Sequence, residues 1–262
     1  MTNVLGQVSW RAVHVWRRDL EVFLRTWWTN FLPPVLEPIL YLVAFGGGMG
    51  SMIGALSWRG RPVSYAAFLA PGIITVAIMF WAVFETLYAS FVRMYYQKTF
   101  DAIITTPLSL EDVIVGEILW GATKSVIVTV LMLLVIVPFG FVRMPEALLV
   151  VPFAFLSGLL FASLGMCITA LCPTIDAFNL PIFALVFPMF LFSGTFFPVE
   201  VLPAWARIIA WGLPLTYTSL FVRGVCLGGP ALGLLGSVGL TAVLAAVLFW
   251  LALVLMRRRL IR

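Results

Sequence analysis

The sequence predicts an all-α integral membrane protein, and three observations lead to this fold class. The 262 residues are 63% hydrophobic and only 10% charged, whereas a water-soluble domain carries about a quarter charged residues. The charges are clustered, so the apolar segments between them exceed the roughly 20 residues that cross a bilayer. The first thirty residues hold several charges and no small-residue cleavage site, so we do not expect a removable signal peptide.

An amphipathic helix is predicted over residues 9–28. Apolar side chains recur every three or four positions on one face, namely Val13, Trp16, Leu20, Phe23 and Trp27. Arg11, Arg18 and Arg25 recur every seven residues on the opposite face. We expect such a helix to lie flat at the lipid headgroups with its arginines directed outward. The pattern leaves open an ordinary basic flank of the first span.

Six membrane-spanning segments are predicted next, at residues 31–53, 65–92, 112–139, 147–172, 178–197 and 231–256. With both termini cytoplasmic, ten basic residues lie inside: Arg11, Arg17, Arg18, Arg25, Arg93, Lys98, Arg257, Arg258, Arg259 and Arg262. Five lie outside, namely Arg59, Arg61, Arg143, Arg207 and Arg223, and Lys124 falls within a span. The inner excess favours this orientation, although Arg59 and Arg61 act against it.

The connection at residues 198–230 is too short for two crossings and too apolar for a solvated loop. Its prolines at positions 198, 203 and 214 divide it into two predicted helices, residues 204–212 and 215–226. Because broken backbone at membrane depth must be buried in protein or line a wet cavity, we expect a re-entrant helical hairpin entering from the outer face. The alternative is an aromatic belt at the interface, formed by Trp205, Trp211 and Tyr217.

The most polar inner segment lies at residues 97–107, between the second and third spans. A short helix is predicted from Gln97 to Thr106 and is stopped by Pro107. Ser109 is then expected to cap the third span, with Asp112 at the third position after it. A short helix held between two spans can transmit force from a soluble partner, but its spacing alone is also compatible with a plain connecting turn.

Four ionisable residues fall inside the predicted spans: Glu37, Glu85, Glu117 and Lys124. Such residues are functional candidates by default because charge in the membrane is unfavourable. Glu117 and Lys124 are seven positions apart on one helix, too far for direct contact, so we expect each to pair with a neighbouring helix. A proton relay is the alternative to this structural pairing.

Several kinds of chemistry are not indicated. The glycine-rich run at residues 46–50 lacks the Lys-Ser or Lys-Thr of a phosphate-binding loop, and no other nucleotide-binding motif is present. With one histidine and three cysteines, neither a metal site nor a catalytic nucleophile is expected. The basic residues lie beside predicted spans and form no stripe with exposed aromatics, so we expect no nucleic-acid partner.

Four blocks of the sequence resemble the type-2 ABC exporter permeases, and most closely the nodulation-factor (lipo-chitooligosaccharide) export permeases. They are FETLYASFVRM at residues 84–94, QKTFDAIITTPLSLEDVIVGE at 97–117, FASLGMCITALCPTIDAF at 161–178, and SGTFFPVEVLP with LPLTY at 193–203 and 213–217. The resemblance implies an interface helix, six spans, a coupling helix between the second and third spans, and two short re-entrant helices before the sixth.

The resemblance further implies that a separate P-loop ATPase binds the coupling segment. The residues that match it are Gln97, Lys98, Thr99, Phe100, Asp101, Thr105, Thr106 and Pro107. Two permeases and two ATPases would assemble, with an amphiphilic substrate passing between the permeases of a bacterial inner membrane. ATP and magnesium would be bound by the ATPase, and this chain would hold no cofactor.

The outer gate is expected in the re-entrant hairpin. Its aromatic residues, Phe196, Phe197, Trp205, Trp211 and Tyr217, offer surface for sugars or acyl chains. Aromatic side chains suit both, so lipo-oligosaccharide, polysaccharide, drug and antibiotic substrates stay open. A proton-driven secondary transporter and a membrane-embedded enzyme for lipid-linked sugars are the alternatives from other classes. The first is disfavoured because we find no internal repeat, and the second because no catalytic constellation is present.

Overall fold

A computed structural model describes residues 8–229 and 231–260, and it confirms an all-α protein. The helices, in chain order, are α1 Ala12–Arg25, α2 Trp27–Ile53, α3 Tyr65–Tyr95, α4 Thr99–Ile104, α5 Leu110–Phe139, α6 Glu146–Leu171, α7 Asp176–Phe192, α8 Ala204–Gly212, α9 Pro214–Leu227 and α10 Ala231–Leu260. Short 3₁₀ turns occur at Val199–Val201 and within the ends of longer helices. Arg262, which we counted on the inner side, lies outside the described residues.

Five of the described helices are long and apolar enough to cross a bilayer, namely α2, α3, α5, α6 and α10. Helix α7 contains only 17 residues, which corresponds to about 25 Å. The fifth span predicted at residues 178–197 was therefore too long at its C-terminal end. The chain leaves the helix after Phe192 because Gly194, with φ of +74°, adopts a left-handed conformation.

Helix α3 lies at the centre of the structure. It packs against α5, α6 and α9, while α6 also packs against α10. Within its most apolar window α3 is 78% buried, compared with 17% for α2 and 22% for α10. A side chain at Gly165 of α6 would approach the backbone oxygen of Val83 within 2.7 Å, so glycine permits this close helix contact. Helices α2 and α10 therefore present the apolar surface that faces away from the bundle.

The predicted interface helix over residues 9–28 is shorter and differently oriented. Helix α1 is followed by a break at Thr26, where α2 begins. Its buried stripe consists of Ala12, Val15, Asp19 and Phe23. Two members of the predicted apolar face, Val13 and Trp27, are exposed. The prediction that Arg18 points outward was wrong, because its side chain bonds to carboxylates of the bundle.

Two connections between the long helices complete the fold. A small antiparallel hairpin, β1 Ala55–Trp58 and β2 Arg61–Ser64, joins α2 to α3 and was not predicted. In the connection at residues 198–230, the short helices α8 and α9 have bounds close to those predicted and meet at an angle of 86°. The bend falls at Leu213, between the end of α8 and Pro214.

Candidate functional site

The segment at residues 97–107 presents a largely exposed surface between α3 and α5. Only Thr99–Ile104 is helical, so the predicted helix from Gln97 to Thr106 was too long. Lys98 adopts a left-handed φ of +55° immediately before it, which separates α4 from α3. The Phe100 side chain is buried and fixes α4 to the bundle. Lys98 and Asp101 are both 66% exposed and lie 4.0 Å apart.

Most residues of this segment are exposed. Gln97, Lys98, Asp101, Thr105, Thr106 and Pro107 are exposed, and Thr99 is half-buried. The neighbouring aromatics Tyr95 and Tyr96 and the aliphatic Ile104 are exposed as well. Phe100 alone among the predicted coupling residues is buried, so it cannot itself meet a partner without rearrangement. The segment thus combines one internal anchor with a mixed polar and apolar outer surface.

The residues before α1 hold this segment in place. The Ser9 backbone N–H donates to Oδ1 of Asp112 at 2.6 Å, and the Ser9 hydroxyl donates to Oδ2 at 3.0 Å. Arg11 Nη1 donates to the Pro107 carbonyl at 2.5 Å. Asp112 also completes a capping box with Ser109, as the sequence predicted. The start of α1, the end of the exposed segment and the start of α5 are therefore one hydrogen-bonded unit.

A buried network of charged side chains joins α1, α3 and α5. Lys124 Nζ lies 2.7 Å from Oε2 of Glu85, and Arg93 Nη2 lies 3.0 Å from Oε1 of the same carboxylate. The Trp120 indole N–H also donates to Glu85 Oε1, at 3.0 Å. Glu85 begins a π-helical segment, Glu85–Ala89, in α3, a distortion that is frequent at functional sites.

The network continues through Glu117 to α1. Arg93 bonds to Oε2 of Glu117, to which the Ser90 hydroxyl also donates at 2.6 Å. Arg18 Nη2 lies 3.1 Å from Glu117 Oε1 and 2.6 Å from Asp19 Oδ1. Three cations and three carboxylates are thus joined, and their formal charges cancel. This balance is what allows so many ionised groups to be buried together.

Asp19 is the member of the network that belongs to α1. Burial, reinforced by the nearby Glu117 carboxylate, raises the pKa of Asp19 to about 6, against the opposing effect of Arg93 and Arg18. The carboxyl therefore changes its protonation state near pH 6. Because this group faces α3 and α5 from α1, its charge affects how α1 is held against the bundle.

The four predicted ionisable residues fall into two environments. Glu85, Glu117 and Lys124 are brought together in the network, and each bonds to a helix other than its own. These contacts match structural pairing, because each carboxylate is held by cations. Glu37 is apart from them on α2, where it is half-buried near Trp81 of α3. No ion pair to Glu37 occurs in residues 8–229 and 231–260.

The aromatic residues expected at the outer gate do not form a single cluster. Phe196 packs among Tyr41, Phe45 and Phe190, at ring distances of 6.4, 5.9 and 5.1 Å. Trp205 contacts Phe192 at 6.1 Å. Trp211 and Tyr217 form a separate pair at 6.2 Å, and the Tyr217 hydroxyl donates to the Trp211 carbonyl. Phe197, Trp205 and Trp211 are exposed.

A buried arginine on α9 fixes the loop that carries Phe196. Arg223, expected outside, is buried with its guanidinium 3.9 Å from the Phe68 ring centroid. Its Nη2 donates to the Thr195 carbonyl at 3.2 Å, and Nη1 donates to the Ser219 hydroxyl at 3.2 Å. Helix α9 is therefore tied both to α3 and to the loop between α7 and α8.

Sequence reasoning missed Arg18, Asp19, Ser90, Arg93 and Trp120 as members of the network. Arg18 and Arg93 were assigned to basic flanks because of their position beside predicted spans. A usable signal existed in α1, where Asp19 interrupts the apolar spacing of Ala12, Val15 and Phe23. A carboxylate in the middle of an apolar stripe is expected to be buried and therefore paired.

Comparison with known proteins agrees with this arrangement. The family described as ABC-2 type transporter matches residues 12–227. The chain is 37% identical over 257 residues to Nodulation protein J of Rhizobium leguminosarum bv. trifolii, covering 98% of this chain and 96% of the relative. Nodulation protein J of Rhizobium meliloti (strain 1021) is 34% identical, with 96% and 95% covered. The inner membrane transport permease YadH of Escherichia coli (strain K12) is 24% identical, with 78% and 77% covered.

The family match extends from the first residue of α1 to the last of α9, so it includes the exposed segment, the charge network and the bent helix pair. The structure supplies several apolar helices of membrane-spanning length. The chain therefore belongs to the ABC-2 type transporter family, as a multi-pass membrane permease.

Proposed function

We propose that this chain is the permease subunit of an ATP-driven exporter that moves an amphiphilic substrate, such as a lipo-oligosaccharide or polysaccharide, out across the bacterial inner membrane. A separate P-loop ATPase hydrolyses ATP, with its own magnesium, and drives the permease by alternating access. Two copies of each subunit assemble. The single observation that carries the proposal is the exposed segment at residues 97–107, which is anchored to the bundle by Phe100 and by the hydrogen bond from Arg11 to Pro107.

The anchoring supports a role in force transmission. Phe100 buries the inner side of α4, while Arg11 and Asp112 attach the following residues to α1 and α5. A displacement of this segment by a partner would therefore reach α1 and α5 together, as one rigid unit. Packed helices respond to such a displacement by moving as rigid bodies. On this account the surface formed by Lys98, Asp101 and Ile104 receives the ATPase.

The charge network extends the same connection to α3. Arg93 joins α3 to α5 through Glu117, and Arg18 joins α1 to the same carboxylate. Breaking these bonds separately would leave buried charges without partners. The three helices are therefore expected to move together toward or away from a second permease. A symmetric pair places the substrate path on the two-fold axis between the permeases.

A proton-coupled secondary transporter is less well supported by these contacts. Its candidate relay groups were Glu37, Glu85 and Glu117. Glu85 and Glu117 are each held by two cations, which matches structural pairing between helices rather than a relay of unpaired carboxyl groups. Both termini are placed in the cytoplasm on this account, so that the exposed segment faces the compartment that contains ATP.

Charge reversal on the exposed segment tests the proposal. We expect Lys98→Glu or Asp101→Lys to weaken recovery of the ATPase subunit with tagged permease in detergent, by several-fold. The matched control is Glu21→Lys on α1, where Arg17 and Glu21 form an equally exposed pair, 71% and 54% accessible, at 3.0 Å. This control should leave recovery unchanged. Undiminished recovery of both segment variants would count against the proposed ATPase surface.

A further inference from the structure

A cavity of about 220 Å³ lies beside the charge network, within the membrane-spanning part of the bundle. It is lined by Phe80, Trp81, Phe84, Glu85 and Lys124. Three of these side chains are aromatic and two form the 2.7 Å ion pair between α3 and α5. Ligand sites typically combine an apolar wall with a few fixed polar groups, and this cavity has both.

The polar groups of the cavity are held in fixed positions. Glu85 is bonded to Lys124, Arg93 and Trp120. The Lys124 ammonium lies 4.9 Å from the centroid of the Trp81 ring. An ammonium has three N–H donors, and within the described part of the chain only Glu85 accepts one from Lys124. Donors of Lys124 are therefore left for a ligand.

The Trp81 ring is oriented as well. Glu37 of α2 lies near it on one side, and the Lys124 ammonium of α5 lies near its face, so residues of two other helices flank the ring. Phe80 and Phe84 stack on each other at 5.3 Å with their planes 8° apart. The cavity therefore offers aromatic surface with a defined orientation, which a flat, ring-shaped ligand group requires.

The cavity lies between the exposed segment and the expected outer gate. Phe84 also lines a cavity of about 520 Å³, together with Arg18, Asp19, Val22, Tyr88, Ala89, Val92, Arg93, Gln97 and Thr99. The larger cavity thus reaches the exposed segment at residues 97–107. On the other side, Phe80 contacts Phe190, which contacts Phe196 in the expected outer gate.

The charge balance of the cavity selects among ligand classes. The Glu85 carboxylate and the Lys124 ammonium compensate each other, so the lining carries no net charge. A cationic or anionic ligand would gain from one of these groups and be repelled by the other. A neutral, polyhydroxylated ring would instead accept from Lys124, donate to Glu85, and stack its apolar face on Trp81.

We infer that this cavity, with Trp81 and Lys124 at its centre, is a binding subsite for a neutral saccharide unit of the exported amphiphile. The inference rests on the proposed export function and adds the residues that select the substrate. Trp81 supplies the stacking surface, and the compensated pair of Glu85 and Lys124 supplies hydrogen bonds while disfavouring charged ligands. Cationic drugs and anionic lipids are therefore poor ligands of this subsite.

Equilibrium binding to the permease–ATPase complex in lipid nanodiscs tests the inference. The neutral probe is an acylated chitotetraose, and the charged probe is an alkyltrimethylammonium with the same chain length. Trp81→Leu should weaken binding of the neutral probe about tenfold, whereas Trp81→Phe, which keeps an aromatic ring, should restore most of the affinity. The matched control is Trp250→Leu on α10, a tryptophan 52% exposed on another helix, which should change neither affinity.

Lys124→Gln provides a readout that misfolding cannot imitate. It leaves Glu85 paired with Arg93 but removes the compensating charge in the cavity. Binding of the cationic probe should then become severalfold tighter, while binding of the neutral probe weakens. Tighter binding of the cationic probe by Lys124→Gln tests the subsite even if the Trp81→Leu protein is obtained only in low yield.

Two results would overturn the inference. One is wild-type affinity of Trp81→Leu for the neutral probe, and the other is unchanged cation binding in Lys124→Gln. ATP-driven transport of the acylated saccharide by the wild-type complex is measured separately in proteoliposomes. Transport combined with either negative binding result removes the subsite and retains the proposed function. Absence of ATP-driven transport of both probes contradicts the proposed function itself.

Discussion

Nη2 of Arg93 lies 3.0 Å from Oε1 of Glu85, eight positions earlier on the same helix, and the same side chain bonds to Glu117 of α5. One guanidinium thereby joins carboxylates of two membrane-spanning helices. Arg18 adds α1 to this connection through the other oxygen of Glu117. The mechanical unit that we propose for this permease depends on these bonds.

Glu117→Gln should destabilise the permease by about 3 kcal/mol, because it leaves Arg18 and Arg93 with too little compensating charge in a buried site. Thermal unfolding of the purified protein in detergent measures the effect as a lower melting temperature. Glu21→Gln is the control, since its exposed pair with Arg17 contributes under about 1 kcal/mol. Equal melting temperatures for the two variants would show that the network does not hold the helices together.

Asp19 should make stability depend on pH. Its pKa in the folded chain is raised to about 6 from an ordinary value of 3.8, mainly by burial. Because folding favours the protonated carboxyl, the stabilisation is complete below about pH 4 and is lost as the pH rises through about 6. Asp19→Asn, which cannot ionise, should lose this dependence. Melting temperatures of both proteins between pH 4 and 8 check the prediction, and parallel curves would contradict it.

Asp112→Ala should release the start of α1 from the bundle. The variant removes both bonds to Ser9 as well as the cap of α5, so amide hydrogen exchange at residues 9–12 should become faster. Ser64→Ala is the control, because Ser64 caps α3 by accepting from the Ala67 N–H but contacts no part of α1 in the described structure. Each lost cap costs about 1 kcal/mol. Unchanged exchange in Asp112→Ala would disprove the link.

Gly72→Ala should disturb the outer loop through α3. A Cβ at this position would lie 2.5 Å from the Thr195 carbonyl oxygen, which also accepts the hydrogen bond from Arg223. Since backbone must move, we expect a loss of about 1–3 kcal/mol in thermal unfolding. Gly47→Ala on α2 has open space around its added methyl and should not destabilise. A Gly72→Ala protein as stable as the wild type would show that this loop is loosely held.

Features that depend on neighbouring residues or on long apolar segments could be predicted from the sequence. The capping box of Ser109 and Asp112 is local, and the long spans follow from hydrophobicity over some 20 residues. The helices α8 and α9 were found because Pro203 and Pro214 set their starts. The family was recognisable from continuous blocks of residues.

Features that depend on distant contacts could not be predicted. Arg18 and Glu117 are 99 positions apart, and a sevenfold arginine spacing suggested that Arg18 faces water. The actual direction is set by Asp19 and by Glu117 of α5. Asp19 lies within α1, but the contact with Glu117 cannot be inferred from α1 alone. The early end of α7 at Phe192 was missed because residues 193–197 are apolar, although Gly194 gave the relevant conformational signal. A run of apolar residues predicts burial, but it does not show whether the backbone there is helical.

Site-directed cross-linking at residue 101 tests the central claim most directly. Asp101→Cys, in a chain from which the three native cysteines are removed, is treated with a short cross-linker in membranes that contain the ATPase subunit; its maleimide reacts with the introduced thiol and its succinimidyl ester with lysine amines of the ATPase. We predict a cross-link to the ATPase that blocks ATP-driven export, while Glu21→Cys, on α1, gives none. Labelling of the introduced thiol only from the outer side of intact cells, or a cross-link that leaves export unaffected, would contradict the proposal that the ATPase drives the permease through this segment.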